Sequence, residues 1–199
     1  MSISRSQIIA LGVTLLATAG YFILRKKKGS DTPSLINNDG TTTYSDMTTN
    51  TTLPRGYRNN NPLNIRYNKN NNWQGKVTTN TDGAFEQFLT MPYGYRAALY
   101  LLRKYIKDYN CNTVATIINK WAPPSENNTQ SYINNVCNLV NQLTGSETLT
   151  PFTYISPTDK NMLCNLAYAM SIIENGNTAA TRAAGLPNMD IIKQGWDLL

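Results

Sequence analysis

The sequence predicts a mainly α domain with a small β segment near its start, carried behind one membrane-spanning helix. Three observations lead there. Apolar residues recur at helical spacing in five separate runs between residues 94 and 199. Residues 55–92 lack that period and are rich in Asn, Gly and Thr, the composition of short strands and turns. Ahead of both, 17 uncharged positions from Ile8 to Leu24 run directly into the basic cluster Arg25 to Lys28.

The apolar run, IIALGVTLLATAGYFIL, would span about 25 Å as a helix, enough to cross a bilayer if the flanking cations snorkel. Ala17-Thr18-Ala19 also resembles a signal-peptide cleavage site, but the run continues through Tyr21 to Leu24 and its positive cluster follows rather than precedes it. Residues 1–28 are therefore expected to be a retained anchor contacting lipid through residues 8–24. Four basic residues after the span against Arg5 before it place the C-terminal side in the cytoplasm. Residues 29–54 are rich in Ser, Thr, Asn, Asp and Gly without periodicity, and read as a flexible polar linker. Residues 55–199 form the globular domain.

Within that domain, Ile65–Tyr67, Gly75–Val77 and Ala84–Phe88 are the strand-like pieces of a hairpin or small sheet, with Asn runs as turns. The first helix is expected over about 94–109, with Tyr95, Ala98, Leu99, Leu102, Tyr105, Ile106 and Tyr109 on one stripe. The second carries Val114, Ile117, Ile118 and Trp121, capped by Thr113 and ended by Pro123-Pro124. The third runs from Thr129 to Leu143, with Tyr132, Ile133, Val136, Cys137, Val140 and Leu143 inward and Gly145 after it. The fourth runs from Asp159, as N-cap, to Glu174, burying Met162, Leu163, Leu166, Ala167, Met170 and Ile173. The last, Asn188 to Leu199, carries Ile191, Ile192 and Trp196.

Composition narrows the chemistry. Without a single His, the chain has no Ser-His-Asp or Cys-His triad and no His-containing zinc site, so acid–base work must fall to Asp, Glu, Tyr or Lys. Cys111, Cys137 and Cys164 lack metal-ligand spacing and read as buried free thiols. Neither a metal nor another cofactor is expected. Beyond residue 54, 13 Lys and Arg stand against nine Asp and Glu, a modest bias toward anionic partners without the basic and aromatic clustering of a specific nucleic-acid module.

The segments RNNNPLNIRY (58–67), WQG (73–75), FEQF (85–88), YGYRAA (93–98) and WAPPSENNTQSYINNV (121–136) together resemble a family of phage and prophage proteins of peptidoglycan-degrading type, over most of residues 55–176. The resemblance implies an α+β, lysozyme-like fold and a virion-associated muramidase or structural protein. A weaker similarity is to flagellar-type muramidases, in which a helix ending Glu-Ser-Gly precedes such segments. Here the corresponding helix, ending SIIENG at 171–176, comes last, the order of a circularly permuted lysozyme domain.

On that resemblance Glu174 is the general acid that protonates the glycosidic oxygen; a helix C-terminus, with its partial negative charge, favours holding a proton on a carboxyl group there. An exposed helix-end Glu before an Asn175-Gly176 αL stop is the competing account. Glu126, beside a helix N-terminus, suits an ionised carboxylate that either stabilises an oxocarbenium-like centre or serves a cap. Glu86, in FEQF, is expected to face solvent. Asn61, Asn64, Tyr67, Trp73, Gln87 and Tyr93 supply amides and flat rings for sugar binding, although each could equally build a turn or fill the core.

The function expected is that of a membrane-anchored, virion-associated enzyme, muramidase or lytic transglycosylase, that opens the host wall locally, acting on peptidoglycan without a cofactor. Its place would be the internal membrane of a virion and the host membrane during infection, with capsid or other virion proteins as further partners. The alternative is a non-catalytic adaptor of a membrane-containing virion that keeps the lysozyme-like shape.

Overall fold

The computed structural model describes residues 51–199, together with two two-residue strands, β1 (Leu35–Ile36) and β2 (Thr42–Thr43). The strands pair antiparallel, Leu35 with Thr43 and Ile36 with Thr42, in a unit separate from that of residues 44–199. They fall within the segment expected to be unstructured linker. The expected anchor, residues 8–24, lies outside the described residues; among those described, no helix is long and apolar enough to cross a membrane.

Residues 51–199 form seven helices: α1 (Arg55–Arg58), α2 (Met91–Tyr109), α3 (Val114–Trp121), α4 (Thr129–Thr144), α5 (Lys160–Asn175), α6 (Ala179–Ala183) and α7 (Met189–Asp197). The five expected from periodicity are α2, α3, α4, α5 and α7. The two extra ones are about a turn long, too short for an apolar period to show. The caps follow local chemistry. Thr113 and Thr116 form a capping box, Asn128, Asp159 and Asn188 accept N–H groups at their helix starts, and Gly145 closes α4 at φ 67°. α2 begins three residues earlier than expected because Pro92, preset for the first turn, opens it.

α5 is the centre of the domain. It packs against α1, α2, α4 and α7, and Leu163, Cys164, Leu166, Ala167, Ala169 and Met170 are all buried around it. A helix apolar on most of its faces can only sit inside, and Ala167 and Ala169 let its neighbours approach closely. Met162 and Ile173, expected inward, are only partly buried, and on the other stripes Tyr109 and Leu143 are exposed. α7 closes on α2 through Gly195, where a Cβ would lie 2.7 Å from that of Tyr95.

The expected small sheet is not formed. Residues 59–90 instead make isolated bridges, Arg66 with Phe85 and Lys76 with Phe88, at the places where strands were anticipated. The ladder stops because side chains occupy its backbone groups. Asp82 accepts from the N–H of Phe85, Asn80 donates to the carbonyl of Phe85, and Asn61 donates to that of Glu86. The loop is then fixed to α2 by contact: a Cβ on Gly94 would meet the carbonyl oxygen of Asn60 at 1.9 Å.

Candidate active site

Glu174 occupies the last turn of α5, half-buried, at the floor of a cleft of about 340 Å³. Three elements hold its carboxylate. The Asn64 amide donates to Oε2 at 3.0 Å, the Trp121 indole to Oε1 at 3.3 Å, and the Tyr132 hydroxyl to Oε1 at 2.9 Å. Burial, and then the carboxylate beside it, push the Tyr132 hydroxyl well above its ordinary range, so it remains a donor. Asn64 reaches inward from a left-handed backbone, φ 51°, a conformation that Asn tolerates better than most residues. Trp121 ends α3 and Tyr132 lies in the first turn of α4. Thr129 joins the two helices by donating to the Ala122 carbonyl at 2.6 Å, which sets both donors against Glu174.

Asn175, which the competing account placed in an αL stop, is instead buried within α5 and donates to the carbonyl of Pro62 at 2.7 Å. Its Oδ1 has no partner, and a Cβ placed on Gly56 would lie 2.3 Å from it and 2.7 Å from Asn64 Oδ1. The backbone of α1 thus backs the amide that holds Glu174. Gly176 ends α5 at a positive φ of 73° but with ψ 156°, outside the αL region that the competing account required.

The cleft walls are Leu63 to Arg66 and Phe85 on one side and Leu101, Tyr105 and Trp121 on another, with Ala122, Glu126 and Asn127 at the mouth. Glu126 is therefore brought to the same cleft as Glu174. Its side chain is 66% exposed and lies 3.8 Å from the Arg66 guanidinium, while the helix cap nearby is supplied by Asn128. Among the described residues no group of three or more Cys, Asp or Glu could hold a metal ion.

The structure separates the other expected binding residues from this cleft. Asn61 is fully buried, its amide bonded to the carbonyls of Ile65 and Glu86 and its oxygen to the Ile65 N–H. Gln87 is engaged by Asn59 and Thr81. Trp73 packs edge-on to Tyr100 at 5.8 Å, and the Tyr93 ring covers Gly75 so closely that a Cβ there would lie 2.1 Å from it. Tyr67 lies under the Lys76 ammonium, 4.8 Å from its ring centroid. Glu86, expected at the surface, is fully buried and paired with Lys76 at 3.0 Å, because a loop this poor in apolar residues is organised around an ion pair. Of the six expected binding residues, Asn64 alone lines the cleft.

Comparison with known proteins gives one informative relative. No family model matches the chain. It is 34% identical over 145 residues to Protein P5 of Pseudoalteromonas phage PM2, a match covering 72% of this chain and 80% of that protein. The chain belongs to the Protein P5 family. For this P5-family chain, sequence reasoning missed Trp121 and Tyr132 as site residues, because each also falls on an apolar stripe. The available signal was the segment 121–136, WAPPSENNTQSYINNV, which begins at Trp121 and contains Tyr132.

Proposed function

We propose that this phage-related chain is a lysozyme-like, circularly permuted, virion-associated enzyme that cleaves the glycan of peptidoglycan, with Glu174 as the general acid. The observation that carries the reading is a single carboxyl group at the end of the central helix, fixed by Asn64, Trp121 and Tyr132 from three elements and lining an open cleft. Such fixation is what proton transfer to a positioned oxygen requires. Glu174 gives a proton to the bridging oxygen as the bond from C1 to that oxygen breaks. Glu126 is exposed and drawn toward Arg66, which favours completion by the substrate itself. The C6 hydroxyl of the same sugar attacks C1 and returns its proton to Glu174, leaving a 1,6-anhydro end without consuming water.

The relative's origin in a phage supports a role in wall penetration, and the run at 8–24 supports tethering to a membrane, in a virion and then at the host. Zymography of the full-length chain on purified wall material tests the activity: clearing by the parent and its loss in Glu174→Gln are expected. Anhydro ends among fragments read by mass spectrometry identify the transglycosylase, and reducing ends a muramidase. No clearing by a folded parent would favour a non-catalytic virion adaptor, a reading with its own support in a Glu174 carboxylate already satisfied by protein donors.

A further inference from the structure

Along α2, Tyr105 lines the cleft beside Trp121, with ring centroids 6.2 Å apart, and one turn further Tyr109 meets Tyr105 edge-on at 6.2 Å. Tyr109 is 53% exposed, although its place on the helical stripe marked it as core. α3 lays Lys120 across both rings, its ammonium 3.8 Å from the Tyr109 centroid and 5.3 Å from that of Tyr105. Arg55, Arg66, Lys76, Lys104 and Lys160 each pair with a carboxylate. Lys120, like several other described cations, has no carboxylate partner; its charge lies over two aromatic faces beside the cleft instead. A ring edge and a positioned cation thus adjoin the cleft that contains Glu174, one helical turn of about 5.4 Å beyond its wall. That spacing is comparable to the repeat of one pyranose in an extended strand.

We propose that the Tyr105–Tyr109–Lys120 ledge is a subsite for a carboxylate-bearing sugar of the strand, so that the cleft selects anionic over neutral N-acetylated glycan. The inference rests on the reading of Glu174 as a glycan-cleaving acid. The rings give the sugar an apolar surface, and the ammonium meets a carboxylate on its lactyl ether or stem peptide. Lys120→Met keeps an aliphatic chain over the rings and removes the charge, whereas Lys120→Arg keeps the charge and stacks.

Binding is measured by Trp fluorescence on the full-length chain carrying Glu174→Gln, so that strands are held uncut. Three probes are used: strands with stem peptides, strands stripped by an amidase to their lactyl carboxylates, and neutral chitohexaose. Lys120→Met is expected to weaken both anionic probes by roughly five- to tenfold at low ionic strength, with the gap closing at high salt and chitohexaose unchanged. Lys120→Arg is expected to restore binding. A loss confined to stem-bearing strands places the carboxylate on the peptide. Equal binding by parent and Lys120→Met, or equal weakening for all three probes, overturns the ledge while leaving the Glu174 reading intact. Undiminished wall clearing by Glu174→Gln, or no binding of any probe, overturns that reading and the ledge with it.

Discussion

At the scale of single residues, the site depends on which atoms face Glu174. A glutamine at 174 still accepts from Trp121 and Tyr132 through its carbonyl, but turns its NH2 toward the Asn64 amide, donor against donor. Glu174→Gln should therefore cost only about 1 kcal/mol in urea unfolding while clearing disappears. Gly56→Ala acts from behind: its methyl would displace Asn175 Oδ1 and Asn64 Oδ1, turning Asn64 away from the carboxylate. Clearing is expected to fall at least tenfold, a loss of about 1.4 kcal/mol or more in barrier terms. Retained activity in Gly56→Ala would show that Asn64 does not position the acid. Sequence reached Glu174 and Asn64 through motif likeness. It could not reach Gly56, whose role is defined by two oxygens supplied from 8 and 119 residues away.

At the scale of elements, the asparagine-rich segment owes its order to polar contacts rather than to a ladder. Asp82 is its clip: the Arg55 guanidinium binds it through two nitrogens, and Asn59 and the N–H groups of Ala84 and Phe85 donate to it. Burial works against the charge, but these donors outweigh it and hold the carboxyl well below the usual carboxylate range. The unfolded group titrates near 4, so the stabilisation is complete above about pH 5 and drains away as pH falls through 4 toward the lower folded value. Asp82→Asn should lower stability by about 2 kcal/mol at pH 7, and the urea midpoints of parent and variant should converge as pH is lowered. An undiminished gap under acid would rule out the charge as the cause. The joint between this segment and α2 is steric. Gly94→Ala drives a methyl into the Asn60 carbonyl, a backbone atom that cannot swing aside, and should cost about 2 kcal/mol or more by the same unfolding measurement. Strand periodicity located the bridges at Arg66 and Lys76, but could not show that neighbouring amides would occupy the groups needed to extend them.

For the whole molecule, helical periodicity was the most legible signal, because burying an apolar stripe is a demand each helix makes alone. Which helix lies at the centre was less legible. The fourth run in the sequence was expected to bury one face, whereas Ala169 and Ser171 outside that stripe are buried too, because α5 has neighbours on several sides. The three thiols report on this packing. All are free; Cys111, expected buried, is only half-buried in the turn after α2, while Cys137 in α4 and Cys164 in α5 are buried as expected. Burial pushes the Cys164 thiol up to about 11, so little thiolate exists near neutral pH while the core is closed. An aromatic disulfide reagent at pH 8 should therefore modify one thiol per native chain quickly and the other two only at the rate of global opening, with all three reacting at once in denaturant. Reductant should leave the thermal midpoint unchanged. If Cys164 reacted as fast as Cys111, α5 would not be enclosed by its neighbours, and the helix end that presents Glu174 would lose the rigidity on which its proposed chemistry depends.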